Sequence, residues 1–179
     1  MYANRYFVLL VSVMLFCVSE ASTAVPLADW VALEGLSPRL ALKMKHLRIA
    51  RCIPNADDVD LPVYPQASIV SIDWGLVAPD CYIRDGWDEL GAITFVSREN
   101  EKEVVKWYGV ELPHYNRYLG EAGTIFINHE IDAFLWERDY PKFSNITVTA
   151  APNGFRDAGY RSSIELNRPK VRTIRESTE

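Results

Sequence analysis

Alternation of apolar and polar residues predicts β-strands at several places from residue 68 onward. In residues 68–74 the apolar side chains Val70, Ile72 and Trp74 fall on one face. A later segment, residues 145–151, alternates in the same way. Further strands are predicted at 91–96, at 124–128 with residues 133–136 as its hairpin partner, and at 160–166, where Tyr160, Ser162, Ile164 and Leu166 share a face.

Between residues 25 and 52 the apolar residues instead recur with a helical period. Ser37 is a good N-cap and Pro38 suits the first helical position. Leu40, Met44 and Leu47 then recur at i, i+4 and i+7, which gives one apolar stripe. We therefore expect a helical segment within residues 25–52.

A second helix is predicted after Asn100, with clear signals at both ends. Glu103 lies three residues after Asn100, which is the spacing of a capping box. Val104, Trp107 and Tyr108 form the apolar face, and Pro113 stops the helix.

This order of elements predicts an α+β fold with an antiparallel sheet of four to five strands and helices packed on one face. The N-terminal helical segment and an acidic linker occupy residues 25–60 and precede this domain. The α+β domain spans residues 61–168, and a flexible tail follows at 169–179.

Residues 1–24 have the features of a secretory signal peptide. Arg5 supplies the positive charge, residues 7–18 are almost entirely apolar, and Ala24 follows other small residues. The apolar run is shorter than the roughly 20 residues that span a bilayer, so no transmembrane span is expected after cleavage. An uncleaved anchor and a buried helix are the alternatives, and the bulky Phe16 before Cys17 argues against a lipoprotein. The sequence predicts a periplasmic or secreted protein.

Two cysteines are left after cleavage, Cys52 and Cys81. An even pair in an exported chain favours a disulfide, and two buried free thiols are the alternative.

The overall charge adds little to the predictions of fold and location. The chain has 179 residues, 24% of them charged, and a net charge of −5, so nucleic acid is not an expected partner. The stretch around Arg39 and Lys43 is locally basic and contains no acidic residue between positions 35 and 52. It predicts either contact with an anionic surface or an ordinary solvated helix face.

No pattern meets the criteria of a catalytic, cofactor or metal motif, and no catalytic residue, cofactor or metal site is predicted. His129 lacks the second histidine at helical spacing that a zinc protease requires. The acidic stretch Asp57, Asp58 and Asp60 lacks the remaining ligands of a calcium loop, which favours a solvated loop.

Aromatic residues beside charged ones offer candidates for partner binding. Trp87 lies beside Asp88, and Tyr115 and Tyr118 flank Arg117. Exposed Trp and Tyr commonly anchor partners, although they equally cover the edges of cores. Asn145 begins a glycosylation sequon inside a predicted strand, where it is an accidental match.

Residues 61–112 resemble a group of exported bacterial proteins and lipoproteins without assigned activity. The resemblance rests on the segment Leu61-Pro62-Val63-Tyr64-Pro65-Gln66-Ala67, on Thr94-Phe95-Val96 and on the helix from Glu103 to Tyr108. The family pattern has Gly where this chain has Gln66, and Phe where it has Trp107. The resemblance implies an envelope location and a small α+β module, and it assigns no functional residue.

The leading hypothesis is a non-enzymatic exported module that binds an envelope protein or an anionic surface. Its candidate contact residues are Trp87, Tyr115, Tyr118, Arg39 and Lys43. One alternative is a small hydrolase that uses His129 or His114 with carboxylates such as Glu130 or Asp132. Another is an inhibitor or immunity-type protein.

Overall fold

The structure is a computed structural model that describes residues 27–49, 59, 61–73, 91–121, 123–132 and 135–167. Its strands are β1 Ser68–Asp73, β2 Ala92–Ser97, β3 Asn116–Gly120, β4 Gly123–Ile127, β5 Asn145–Ala150 and β6 Ser162–Asn167. Its helices are α1 Pro38–Ile49, α2 Glu101–Glu111, α3 Trp136–Asp139 and α4 Asn153–Arg156, with a 3₁₀ helix at Tyr140–Lys142.

The predicted α+β fold with an antiparallel sheet is confirmed. The six strands form one sheet in the order β1-β2-β6-β5-β4-β3, and every neighbouring pair is antiparallel. The sequence predicts four to five strands, and the additional strand is β3.

The larger of two hydrophobic clusters, which we call the main cluster, takes most of its strand residues from one face of the sheet. The strand residues that share this face by their pairing register are Ile93, Phe95, Phe126, Ile146, Val148, Ile164 and Leu166. Val104 and Tyr108 of α2 and Met44 of α1 are buried in the same cluster. The two long helices therefore contribute to a single core, as the apolar stripes predict.

Helix α2 begins and ends as the sequence predicts. The backbone N–H of Glu103 donates to Asn100 Oδ1 at 3.1 Å, and Leu112 caps the C-terminus just before Pro113. Val104 and Tyr108 are fully buried, while Trp107 is partly exposed.

The predicted helical segment at residues 25–52 is only partly right. Ser37 accepts a hydrogen bond from the Leu40 backbone N–H at 3.4 Å, and α1 starts at Pro38. Residues 29–31, by contrast, are extended and run parallel to β1. The N–H of Val31 donates to Ile69 O at 2.9 Å, and the N–H of Ile69 donates to Asp29 O at 3.0 Å.

The predicted face of β1 is corrected by a β-bulge. The pairing with β2 shifts between Ile69 and Ser71, so Val70 is an extra residue. Ile69 pairs with Phe95 and Ile72 pairs with Ile93, which places these two isoleucines on the same face although they are three residues apart. Strict alternation through Val70 therefore fails because the bulge changes the phase, and Trp74 lies outside the described residues.

The predicted hairpin partner of β4 is wrong. β4 pairs with β3 on one side and with β5 on the other, and Trp136 starts the short helix α3. Ala133 and Phe134 lie outside the described residues. The partner is β3, which joins β4 through a two-residue turn after Gly120. No strand is predicted for this stretch, which includes Tyr118, because its alternation is short and mostly polar.

The opposite face of the sheet is covered near β3 and β4 by the connection between β4 and β5. Ile125 and Ile127 alternate with Phe126 and so point away from the main cluster. They pack with residues of the connection to form what we call the small cluster. Its members are Ile125, Ile127 and Ile131, with Tyr118, Trp136, Tyr140 and Phe143 against them.

The last predicted strand, 160–166, corresponds to β6, which begins two residues later at Ser162. Tyr160, Ser162, Ile164 and Leu166 are all buried. In β5, Ile146 and Val148 are buried as expected, while Ala150 at its end is exposed.

Candidate functional site

Several sequence-predicted residues lie outside the described part of the chain. They are the signal peptide, Cys52, Cys81, Trp87, the acidic residues Asp57, Asp58 and Asp60, and residues 169–179. Their assignments stay predictions.

Arg39 and Lys43 lie one turn apart on α1, and both are exposed. Met44 faces the main cluster, so the basic residues occupy the solvent side of the helix. Their position is compatible with a contact to an anionic surface and equally with a solvated helix face.

The two candidate tyrosines take part in contacts within the fold. Tyr115 is half-buried and packs against the main cluster. The hydroxyl of Tyr118 accepts from the Ile131 N–H at 3.0 Å and lies 3.3 Å from Ile131 O, to which it donates. The Tyr118 ring stacks on Trp136 with centroids 5.6 Å apart. Tyr118 thus fixes the β4–β5 connection to the sheet.

Of the two histidines considered for hydrolysis, His114 is exposed and His129 lines a shallow depression of about 200 Å³. Its lining includes His129, Glu130, Asp132, Asp139 and Lys142. The His129 ring stacks on Phe143 at 4.2 Å. This contact uses the ring face, so it supplies neither ring nitrogen with the hydrogen-bonding partner that orients a general base.

Asp139 is the most strongly perturbed carboxyl group beside this depression. Arg138 Nε and Lys142 Nζ approach Asp139 Oδ1 at 2.9 and 2.6 Å. The hydrogen bonds from Arg138 and then Lys142 hold the pKa of Asp139 well below its ordinary value. A carboxylate engaged in this way is a structural ion pair rather than a proton carrier at neutral pH.

Within the described residues, no group of three or more His, Cys, Asp or Glu side chains is arranged to hold a metal ion. The helices in that part of the chain are also too short or too polar to cross a bilayer.

A more developed site surrounds the turn Tyr64–Ala67, at the end of the sheet where β1 begins and β2 ends. The Ala67 N–H donates to Tyr64 O at 3.2 Å, which closes a four-residue turn. Pro65 and Gln66 are its central residues, and Gln66 has φ 62°. This combination is a type II turn, in which the third residue adopts the left-handed conformation. We call it the Gln66 turn.

Glycine is the usual residue at that position, because a side chain there is strained by roughly 1–2 kcal/mol. Gln66 is the only non-glycine residue with positive φ among the described residues. The chain therefore keeps a side chain where the backbone disfavours one. Strained backbone of this kind is concentrated at ligand clamps and other functional sites.

Two depressions lie on either side of the Gln66 turn, with volumes of about 380 and 430 Å³. Both are lined by Tyr64, Pro65, Gln66 and Ser68. The first extends to Asp29, and the second extends to Arg98. We call the two depressions together the Gln66 groove.

The wall of the second depression is held by contacts between β2 and β6. Arg98 Cζ lies 5.0 Å from the centre of the Tyr160 ring, a cation–π contact. The Ser162 hydroxyl donates to Glu99 O at 2.8 Å, and the Arg161 N–H donates to Ser97 O at 2.8 Å. The backbone that carries the charged side chains of Arg98 and Glu99 is therefore held in place.

Aromatic packing fixes the other wall. Tyr64 meets Trp107 edge to face at 5.2 Å, and the buried Tyr108 donates its hydroxyl hydrogen to Pro62 O at 3.1 Å. Burial, with smaller contributions from Glu99 and Glu103, raises the pKa of Tyr64. Tyr64 is therefore a neutral hydrogen-bonding phenol across the physiological pH range.

The groove thus combines amide, hydroxyl and phenol groups with one cation and two carboxylates at its ends. This arrangement can form hydrogen bonds with a polar ligand and favours ligands whose charges are opposite to those at the ends of the groove. Comparisons of the chain with models of known protein families, with curated proteins and with solved structures found no match.

Sequence reasoning does not single out Gln66 or Arg98 as functional. The signal for the turn is present, since proline at its second position is typical of type II turns. What the sequence does not show is that Arg98, more than thirty residues away, comes to the same groove through the pairing of β1 with β2.

Proposed function

We propose that this chain is an exported binding module, periplasmic or secreted, whose Gln66 groove holds an extended peptide segment of a partner protein. The support for export is the signal-like pattern of residues 1–24. The support for binding is the construction of the groove.

The observation that carries the proposal is the conformation of Gln66. A glycine would remove the strain of φ 62°, yet the chain places there a long amide that lines both depressions. An amide side chain offers two donors and an acceptor, which match the carbonyl and N–H groups of a peptide backbone. The strain is then the cost of presenting a recognition group.

The surrounding chemistry favours a peptide over a sugar. Tyr160 is buried and faced by Arg98, and Tyr64 is packed edge-on against Trp107. The groove offers hydrogen-bonding groups and separated charges more than open aromatic faces. Arg98 suits an acidic side chain or a C-terminal carboxylate of the bound segment.

Selection from a random peptide library on the immobilised protein tests the binding role. We expect an enriched set of peptides that share a charged residue at one end. Gln66→Ala and Arg98→Ala should each weaken binding of the selected peptides about tenfold, in line with a lost hydrogen bond to a charged or fixed group. Fluorescence anisotropy with labelled peptides measures this.

Arg161→Ala is the matched control, because Arg161 is exposed and adjacent to the same strand but outside the lining of the groove. Its affinity should equal that of the wild type. Failure to enrich any peptide, or enriched peptides that bind Gln66→Ala as tightly as the wild type, overturns the proposed binding role.

Gln66→Gly separates recognition from folding. We expect this variant to be about 1 kcal/mol more stable, because glycine relieves the left-handed strain, although its greater freedom in the unfolded chain reduces the gain. The same variant should lose peptide affinity. A variant that is less stable and still binds would show that the Gln66 side chain serves the fold alone.

Determination of the N-terminus of the protein in fractionated cells tests export. We expect the chain to begin near Val25 outside the cytoplasm. An intact chain with Met1 in the cytoplasm contradicts the location without affecting the peptide-binding experiment.

A further inference from the structure

The two edges of the sheet differ in how far they are protected from pairing with another chain. At the β1 edge, residues 29–31 form two backbone hydrogen bonds with Ile69, and the bulge at Val70 distorts the strand. Both features are known ways to keep a sheet edge from pairing with another chain.

The β3 edge has no such protection among the described residues. β3 pairs with β4 on one side and ends the strand order on the other. It contains no proline, and Arg117 is its only charged residue. Leu119 is 79% exposed, the largest exposed fraction among the large hydrophobic residues of the described chain. An unprotected edge with an exposed leucine is a template for strand addition.

We propose that β3 pairs with β3 of a second copy of this chain, antiparallel, to form a homodimer with a continuous sheet. The pairing is centred on Leu119, so that the leucines of the two copies lie opposite each other. In this register Arg117 of each copy lies opposite Glu121 of the other, which gives two ion pairs by symmetry.

The charges of Arg117 in β3 and of Glu121, the first residue of the turn after β3, select this register and this occupant. Arg117 and Glu121 are both exposed, and neither has an ion-pair partner among the described residues. A register centred on Arg117 would place two like charges opposite each other, which is unfavourable. A register centred on Tyr118 would place Arg117 opposite Leu119 and leave both unmatched.

The geometry of the sheet agrees with the same register. Arg117 and Leu119 lie two residues apart, so they share one face, while Tyr118 points to the small cluster. A twofold axis normal to the sheet keeps this face common to both copies. The contact is short, since β3 has 5 residues, so the dimer belongs to the weak class of interfaces.

Charge reversal tests the register. Sedimentation velocity over a concentration series should show a monomer–dimer equilibrium for the wild type. Arg117→Glu and Glu121→Arg should each weaken dimerisation about tenfold, because each reversal turns two attractive pairs into repulsive ones. The double variant should recover most of the wild-type affinity. Circular dichroism of each variant verifies that the fold is retained.

A cysteine pair provides an independent measurement. Opposed residues of antiparallel strands have the separation that a disulfide accepts, so Leu119→Cys should form a covalent dimer under mild oxidation. Val110→Cys is the matched control, because Val110 is 71% exposed and lies on α2 away from the edge. It adds the same number of cysteines and should yield no more covalent dimer than the wild type.

A monomer at every concentration overturns the proposal and leaves an extended peptide of another protein as the possible partner of this edge. A dimer that neither reversal weakens, or equal crosslinking of Leu119→Cys and Val110→Cys, overturns it as well. These outcomes are independent of the Gln66 groove, which lies at the opposite edge of the sheet.

Discussion

The strand residues of the main cluster lie mostly on one face of the sheet, those of the small cluster lie on the other, and the two clusters are stabilised differently. In the main cluster, aliphatic and aromatic side chains from strands and from α2 interlock with little polar participation. In the small cluster, a connection without regular strands is fastened by side chains that bond backbone groups. Tyr118 bonds Ile131, and the Asn145 amide donates to Tyr140 O and Phe143 O at 3.3 and 3.0 Å.

This difference indicates that stability is distributed unevenly. The free energy gained by hydrophobic burial is proportional to the apolar area removed from water, so the main cluster supplies most of the favourable free energy of folding. The small cluster buries three residues fully or nearly so and relies on a few directional contacts. We expect it to open locally at a lower free energy than global unfolding.

The largest expected effect comes from the main cluster. Phe95 is fully buried on β2, which lies between β1 and β6. Phe95→Ala should lower the free energy of unfolding by about 3–5 kcal/mol through lost burial and a residual cavity. Urea denaturation measures the change, with Val110→Ala, at an exposed helical site, as a control expected to change it little. A loss below about 1 kcal/mol would contradict the assignment of Phe95 to the centre of the core.

The main cluster is the part of the fold that the sequence predicts well. The spacing of Val104 and Tyr108, and of Ile164 and Leu166, repeats the helical and strand periods, and the structure buries all four. Periodicity works there because a regular element presents one face to a large core. The faces of β1 are mispredicted because the bulge at Val70 inserts one residue into the period.

The small cluster and the Gln66 groove could not be predicted in this way. Trp136 contacts both Tyr118 and Tyr140 through a connection that follows no period. The groove depends on strand pairing that brings Arg98 beside Ser68, which are distant in sequence. Such sites arise from tertiary arrangement, and local patterns carry only fragments of the signal, such as Pro65 at its turn position.

The next largest effect tests the polar contacts around Asn145, on the face of the small cluster. Asn145 is fully buried, and its Oδ1 accepts from Thr147 Oγ1 and from Asn167 Nδ2 at 3.2 and 3.3 Å. Asn145→Asp replaces the amide donors by a carboxylate that faces two carbonyl oxygens. We expect a loss of about 2–4 kcal/mol at pH 7.

The pH dependence of this loss identifies its cause. The buried Asp would have a raised pKa, so its neutral form would be favoured in the fold and the deficit should shrink as the pH falls toward 4, near the ordinary pKa of about 3.9. Urea denaturation at several pH values measures it. Asn128→Asp is the control, since Asn128 is exposed in the same connection. A deficit that is constant with pH would contradict the buried-charge explanation.

Two glycines offer a smaller and sharper comparison. A Cβ on Gly120 would lie 2.6 Å from Trp136 Cζ2, whereas a Cβ on Gly109 in α2 would meet nothing within 4 Å. Gly120→Ala should therefore cost about 1–3 kcal/mol by displacing Trp136. Gly109→Ala should instead stabilise the protein by up to about 1 kcal/mol through helix propensity.

Hydrogen exchange shows where the Gly120→Ala loss falls. We expect faster exchange in β3 and in the β4–β5 connection, with protection of β2 and β6 retained. Uniformly faster exchange in all strands would mean that the two clusters unfold as one unit, which would contradict the uneven distribution of stability.

The smallest effect concerns the surface ion pairs beside the small cluster. Arg138 and Lys142 hold the pKa of Asp139 below its ordinary value of 3.8. A depressed pKa in the folded state stabilises the fold above the unfolded pKa, and this contribution is lost as the pH falls through the lower folded pKa. Asp139→Asn should therefore be slightly less stable than the wild type at pH 7, and the difference should vanish in strong acid. Because the pair is at the surface, added salt should reduce the difference as well.

Thermal denaturation at both pH values measures it, with Glu137→Gln in the same helix as the control. If Asp139→Asn changed exchange in β2 or β6 as much as in the connection, the ion pair would act on the main cluster too, and the contrast between the two faces would be weaker than the contacts indicate.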